Sequence, residues 1–165
     1  MGYAFSPKVI QTVAEAPMSQ KITVEQVQAA VRQYFIAMAE KKPGELPAMY
    51  AYDALSFNAF TTRPELGRVS AARREREYFK PGTSYTAEIT SPIEVKLLAD
   101  NVALAVYTYR SYGRNLVEPI LGKRYNRAVA DGRGTDVFTL DEYGKLVLAH
   151  QHLSDICRAP LEPVS

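Results

Sequence analysis

The sequence has a single cysteine, Cys157. One thiol excludes an internal disulfide framework and a cysteine-rich zinc site. Charge of one sign is not in excess either: 20 Lys and Arg stand against 18 Asp and Glu, a formal net charge of +2. No strong field therefore draws the chain to nucleic acid or to an acidic lipid surface. No apolar run approaches the roughly 18–20 residues of a membrane span. The first 21 residues lack a basic stretch followed by an apolar core, so a secretory signal is not expected and the reducing cytoplasm is the default location. A phosphate-binding glycine loop is missing, since Gly132-Arg-Gly134 is too short to form one. So is a Gly-x-Ser-x-Gly elbow. Cys157 has no local signature of a nucleophile.

What is present is an ordinary globular composition, 47% apolar and 23% charged over 165 residues, enough for one domain. Residues 1–21 and the tail over 157–165 carry prolines without periodicity. Both read as arms, loosely ordered or laid over a partner subunit, around a domain spanning 22–156. Thr23-Val24-Glu25-Gln26 forms a capping box, with Ile22 and Val27 as a hydrophobic staple. Val27, Val31, Tyr34, Phe35 and Met38 then repeat at helical spacing to about Lys41, and Pro43-Gly44 stops the helix. A short helix is expected over 45–50, a strand over 54–60 and a third helix over 64–79. The mixed-sign run Arg73-Arg-Glu-Arg-Glu77 in that helix reads as a solvated face.

From Ser84 the period switches to alternation. Strands are expected over 85–98 and 102–112, joined by Asp100-Asn101, with Pro92 bending the first. A loop over 113–122 follows, then an extended stretch over 123–140 interrupted near Asp131-Gly132. The turn Asp141-Glu-Tyr-Gly144 leads to a last strand over 145–154. Helices first and consecutive strands afterwards imply an α+β fold: a bent antiparallel sheet packed on N-terminal helices. The hollow left between them is the natural place for a ligand.

Gly144-Lys-Leu-Val-Leu-Ala-His-Gln-His-Leu-Ser154 resembles the closing strand of the nuclear transport factor 2-like superfamily. It is most similar to the branch of SnoaL-like proteins and the calcium/calmodulin-dependent protein kinase association domain. Leu146 stands where that branch has tryptophan. Arg133-Gly-Thr-Asp-Val-Phe138, Leu55-Ser-Phe-Asn58 and Leu66-Gly67 resemble other parts of the same pattern, so that the likeness covers 22–154. The resemblance implies a cone-shaped, cystatin-like α+β roll, usually dimeric. Its interior pocket is lined by the first helix and the concave sheet face. It also implies two kinds of function, since the superfamily holds cofactor-independent isomerases, cyclases and dehydratases as well as assembly domains.

Strand parity sorts the candidate site residues. Asp136 and Phe138 share a face. On the last strand Gln151 and Leu153 share one face, with Leu146, Leu148, His150, His152 and Ser154 on the other. The association-domain resemblance makes Asp136 and Leu153 pocket-facing, in positions where that domain carries arginines. An acid in an apolar hollow has its pKa raised and suits proton transfer near neutral pH. Asp136 is therefore the candidate proton shuttle; pairing with Arg110 or Arg133 is the structural alternative. By the same comparison Val106, Thr108, Arg110 and Tyr112 face inward, and Arg110 could hold a substrate oxyanion. Tyr34 and Asn58 bring hydrogen-bonding groups to the wall, which Met38, Tyr50, Phe57 and Phe138 would complete. Core packing also accounts for each of these aromatics. His150 and His152 point the same way, as metal ligands would. No third ligand is apparent, so no metal and no cofactor are expected.

The expectation is a homodimeric SnoaL-like isomerase, cyclase or dehydratase acting on an apolar oxygenated small molecule such as a polyketide or terpenoid intermediate. The alternative is a non-catalytic small-molecule-binding or oligomerisation module.

Overall fold

A computed structural model describes residues 20–57, 63–117, 124–158 and 162–163. Helix α1 spans Val24–Glu40. Thr23 and Gln26 close the capping box reciprocally, at 2.9 and 3.2 Å. Val27, Val31, Tyr34, Phe35 and Met38 form the buried stripe, and Lys41 ends the helix in the left-handed conformation. Ile22 is buried, and its N–H reaches the carbonyl of Asp100, which anchors the helix to the hairpin turn. Helix α2 is one turn, Glu45–Ala48, and strand β1 already begins at Tyr50 and runs to Phe57. After the two-residue strand β2, Glu65–Leu66, helix α3 spans Gly67–Tyr78. The Glu75 carboxylate of α3 accepts the N–H groups of Gly44 and Leu46 at the start of α2. This satisfies donors that a helix start leaves open.

The remaining strands are β3 Ser84–Ile89, β4 Glu94–Ala99, β5 Val102–Val117, β6 Arg124–Leu140, β7 Leu146–Arg158 and β8 Glu162–Pro163. Sheet order is β2-β1-β7-β6-β5-β3, with β4 also on β5 and β8 also on β6. The break between β3 and β4 falls at Pro92, as expected, and both halves lie on one edge of β5. There the Ser91 hydroxyl accepts the Thr108 N–H at 2.9 Å, so the interrupted ladder leaves that donor paired.

The sheet departs from expectation in four places. β1 and β7 pair in parallel, whereas every other pairing is antiparallel. The expected loop is strand as far as Val117, because Tyr112–Val117 keeps its ladder with β6. Residues 118–123 lie outside the described ones. β6 runs unbroken along β5, and the irregularity at Asp131/Gly132 is a register shift against β7. The tail is not wholly an arm, since β7 continues to Arg158 and β8 returns to pair with β6. The N-terminal arm falls outside the described residues up to residue 19.

A further shift matters more for the site. Phe138 pairs with Leu148 and Val137 with His150, so Ala149 is an extra residue in β7. One extra residue reverses parity. Leu146 and Leu148 therefore join the core with Gln151 and Leu153, and do not share the face of His150 and His152.

The cap at Thr23 yields a direct prediction. Thr23→Ala should lower stability by about 1 kcal/mol, read as a fall in the urea midpoint with unchanged slope. An unchanged midpoint would show that α1 is held by packing alone.

Candidate functional site

Ser56, Gln151, Asp136 and Ala105 are consecutive cross-strand partners on β1, β7, β6 and β5. All four are buried. A polar row thus crosses the inner face of the sheet. The helices add to it. Arg74 of α3 is buried, and its Nη1 donates to the Tyr34 hydroxyl of α1 and, at 3.3 Å, to Gln151 Oε1. Its Nη2 donates to the Tyr50 hydroxyl at 2.7 Å. The Tyr50 hydroxyl in turn donates to Gln151 Oε1. The guanidinium carbon also lies 5.6 and 5.9 Å from the ring centres of Tyr34 and Tyr50, within cation–π range. On the other side of Gln151, the Tyr107 hydroxyl donates to Asp136 Oδ2 at 2.9 Å. Phe35 of α1 packs edge-on against Tyr107.

Burial governs the electrostatics. It raises the Asp136 pKa to about 7, against the opposing pull of the Tyr107 hydroxyl, the Gln151 amide and the Arg74 charge. The amide acts on the carboxylate without a well-formed hydrogen bond, because Gln151 Nε2 and Asp136 Oδ1 both lack a partner. Burial also works against the charge of Arg74, but the tyrosines around it more than compensate and its pKa is raised. Burial raises Tyr34, Tyr50 and Tyr107 as well, so all three remain phenols; Tyr50 and Tyr107 donate, and Tyr34 accepts from Arg74. Asp136 is the group here that changes charge near neutrality.

Four atoms of this cluster are shut away from solvent with no hydrogen-bond partner: Ser56 Oγ, Arg74 Nε, Asp136 Oδ1 and Gln151 Nε2. An unmet buried polar atom costs about 1–3 kcal/mol. Such atoms point either to strain kept for a reason or to a ligand that completes them.

The structure gathers part of the expected site. Asp136, Tyr34, Met38, Tyr50, Phe138, Gln151 and Leu153 are all buried in the interior. Thr108, Arg110 and Tyr112 are not on that face. Ala105 lies opposite Asp136, so the inner residues of β5 are Ala103, Ala105, Tyr107 and Tyr109, and the alternate residues point out. Arg110 is exposed and forks onto Asp131, with Nε and Nη2 at 2.6 and 3.0 Å from the two carboxylate oxygens. Tyr112 donates to Glu88, and the Thr108 hydroxyl meets that of Thr90. Neither Arg110 nor Arg133 pairs with Asp136; Arg133 reaches Ser154. Phe57 lies against His150 and His152 on the outer face. Asn58 lies outside the described residues. Among the described residues no three of His, Cys, Asp and Glu gather as metal ligands would, and no helix is long and apolar enough to cross a membrane.

Sequence reading missed Arg74, Tyr107 and Ser56. The clue to Arg74 was spacing. Gly67, Ser70, Ala71, Arg74 and Tyr78 form one helical stripe, and the other charges of the run fall beside it. Tyr107 follows from Asp136 once the β5–β6 register is known.

No family profile matches the chain, and no curated protein matches it in sequence. Solved structures do match in fold. A nuclear transport factor 2-like superfamily protein from Salmonella enterica is 14% identical with a TM-score of 0.62, covering 81% of this chain and 90% of that one. A protein from Xanthomonas campestris, provisionally named a calcium/calmodulin-dependent protein kinase II association domain, is 19% identical at 0.62, covering 82% and 89%. A hexachlorocyclohexane dehydrochlorinase, LinA type 2, is 14% identical at 0.62, covering 84% and 86%. At these identities the likeness defines architecture: the chain has the nuclear transport factor 2-like, cystatin-like α+β fold. Enzymes are among the proteins that share it.

The raised Asp136 pKa makes stability depend on pH. Below 3.8 the carboxyl is protonated whether the chain is folded or not; between 3.8 and about 7 only the folded state holds the proton. Stability should therefore fall as pH rises through that window, by about 4 kcal/mol at ~1.36 kcal/mol per pH unit, and level off above it. Asp136→Asn should remove that slope in urea titrations at several pH values. A slope that persists in the variant would place the titration elsewhere.

Proposed function

We propose that the protein is an enzyme that moves protons on an apolar, oxygen-bearing small molecule, such as a polyketide or terpenoid intermediate, using its own side chains in place of a cofactor. Isomerisation, cyclisation and dehydration all fit this chemistry. The observation that carries the reading is Asp136, a buried carboxyl whose pKa of about 7 suits both taking and returning a proton. Ionised Asp136 would take a proton from carbon next to a carbonyl, and the C–H electron pair would pass to the carbonyl oxygen. Arg74, whose Nε has no partner, and the phenol of Tyr34 would supply donors for that developing charge. In this role Arg74 replaces Arg110. The proton then returns to another carbon in an isomerisation, or helps a hydroxyl leave in a dehydration. In a cyclisation the enolate attacks a second carbonyl. Tyr34 and Phe35 cover the cluster from α1, so entry of a substrate has to part these side chains.

The assay can begin with 5-nitrobenzisoxazole, whose ring opening needs little more than a desolvated base, and with deuterium exchange into cyclic ketones. Rates should rise with pH to a plateau above about 7. Asp136→Asn should lower them by at least about 100-fold. Turnover equal in the Asn variant, or a flat pH profile, would overturn the mechanism.

We further propose that a second copy of the chain covers the outer face of the sheet, in the cytoplasm. The helices pack on the inner face, whereas Leu55 and Val106 are exposed on the outer one, beside Phe57, His150 and exposed His152. Light scattering should give a dimer, and Val106→Glu should dissociate it. A monomer would overturn this interface. A larger ring would favour the second reading, an assembly module, which the Xanthomonas neighbour's name supports.

A further inference from the structure

Two tyrosines of the polar cluster cross the backbone at glycines. Tyr107 on β5 lies directly opposite Gly134 on β6. A Cβ on Gly134 would stand 2.3 Å from Tyr107 Cζ and 2.6 Å from its hydroxyl oxygen. Gly67, the first residue of α3, stands in the same relation to Tyr50: its Cβ would lie 2.3 Å from Tyr50 Cδ1. Neither glycine has a positive φ. Any L-residue could adopt either backbone, so the need for glycine is a need for space. A third pair, Tyr109 over Gly132, repeats the arrangement one step along β6, with a Cβ 2.3 Å from Tyr109 Cζ.

We propose that Gly134 and Gly67 are positioning residues of the site: their missing side chains let the rings of Tyr107 and Tyr50 lie flat on the backbone, which aims one hydroxyl at Asp136 and the other at Gln151 and Arg74. The Gly132-Arg-Gly134 sequence, too short for a phosphate loop, is then a pair of seats for aromatic rings. Asp136 follows on the same face, two residues beyond Gly134. The ring of Tyr107 has little freedom to go elsewhere, with Phe35 at 5.8 Å and Tyr109 at 6.4 Å between ring centres. The clash at Gly134 falls on the far end of the tyrosine, whereas that at Gly67 falls at the base of the ring. A methyl group at 134 therefore swings the hydroxyl away, and one at 67 disturbs packing more severely.

The test needs no substrate. Carbon-13 NMR of the Asp136 carboxyl follows its titration directly. The Tyr107 hydroxyl favours the ionised carboxylate, so losing it raises the pH at which Asp136 ionises. Gly134→Ala should shift that midpoint upward by about one pH unit, as Tyr107→Phe should. Gly132→Ala should destabilise the chain and leave the midpoint in place, because the tyrosine that donates to Asp136 is Tyr107. The proposal fails if Gly134→Ala titrates like the parent, or if Gly132→Ala moves the midpoint equally. Should Gly134→Ala not fold, Tyr107→Leu/Gly134→Ala must recover stability by removing the ring; additive losses would overturn the seat.

Discussion

A carboxyl group and a guanidinium share the interior of this protein without an ion pair between them. Gln151 stands between the two, taking hydrogen bonds from Arg74 and Tyr50 through Oε1 and turning its amide nitrogen to the Asp136 side. Burying unpaired charge is costly, and the two groups meet that cost differently. Arg74 stays charged because phenol oxygens and aromatic faces replace its water. Asp136 has one phenol, the Gln151 amide and the charge of Arg74 beyond it, which together do not offset its burial, and its proton affinity rises. The inequality between the two environments makes a group that titrates near neutrality.

The scaffold serves this arrangement at several points. Four strands contribute one residue each to the row from Ser56 to Ala105. The bulge at Ala149 lets Leu148 and Gln151 face the same interior, although they are three residues apart on a strand. In α3, Ser70 and Ala71 are small and buried, so the long Arg74 side chain can come down among the tyrosines. The opposite face of the sheet has another character. There His150 and His152 lie against Phe57, away from the acid. The fold alone does not choose between catalysis and assembly. The contrast between a desolvated polar cluster inside and a partly apolar surface outside separates the two questions.

The legible parts of the sequence were those governed by local chemistry. The Thr23 box and the stripe from Val27 to Met38 set α1, because capping and helical period act within a few residues. Pro92 broke the first long strand, and Asp100-Asn101 turned it. Alternation placed Asp136 on one face with Phe138, and the family resemblance, not alternation, pointed that face inward, where both are buried. Arg74 was hidden because a charged run reads as solvated unless the partners that bury it are known. Arg110 looked internal because the inner side of β5 depends on its pairing with β6, which alternation within one strand cannot supply.

By itself, then, the chain determined its main elements and its α+β class, since these depend on periodicity, caps and turns, while its interior acid was legible only through the family resemblance. Only the tertiary structure decided what surrounds that acid. The parallel β1–β7 pairing, the extra residue at Ala149 and the close crossing of rings over Gly67 and Gly134 are contacts between distant segments. Their geometry arises from packing, and packing has no signature at the scale of a few neighbouring residues.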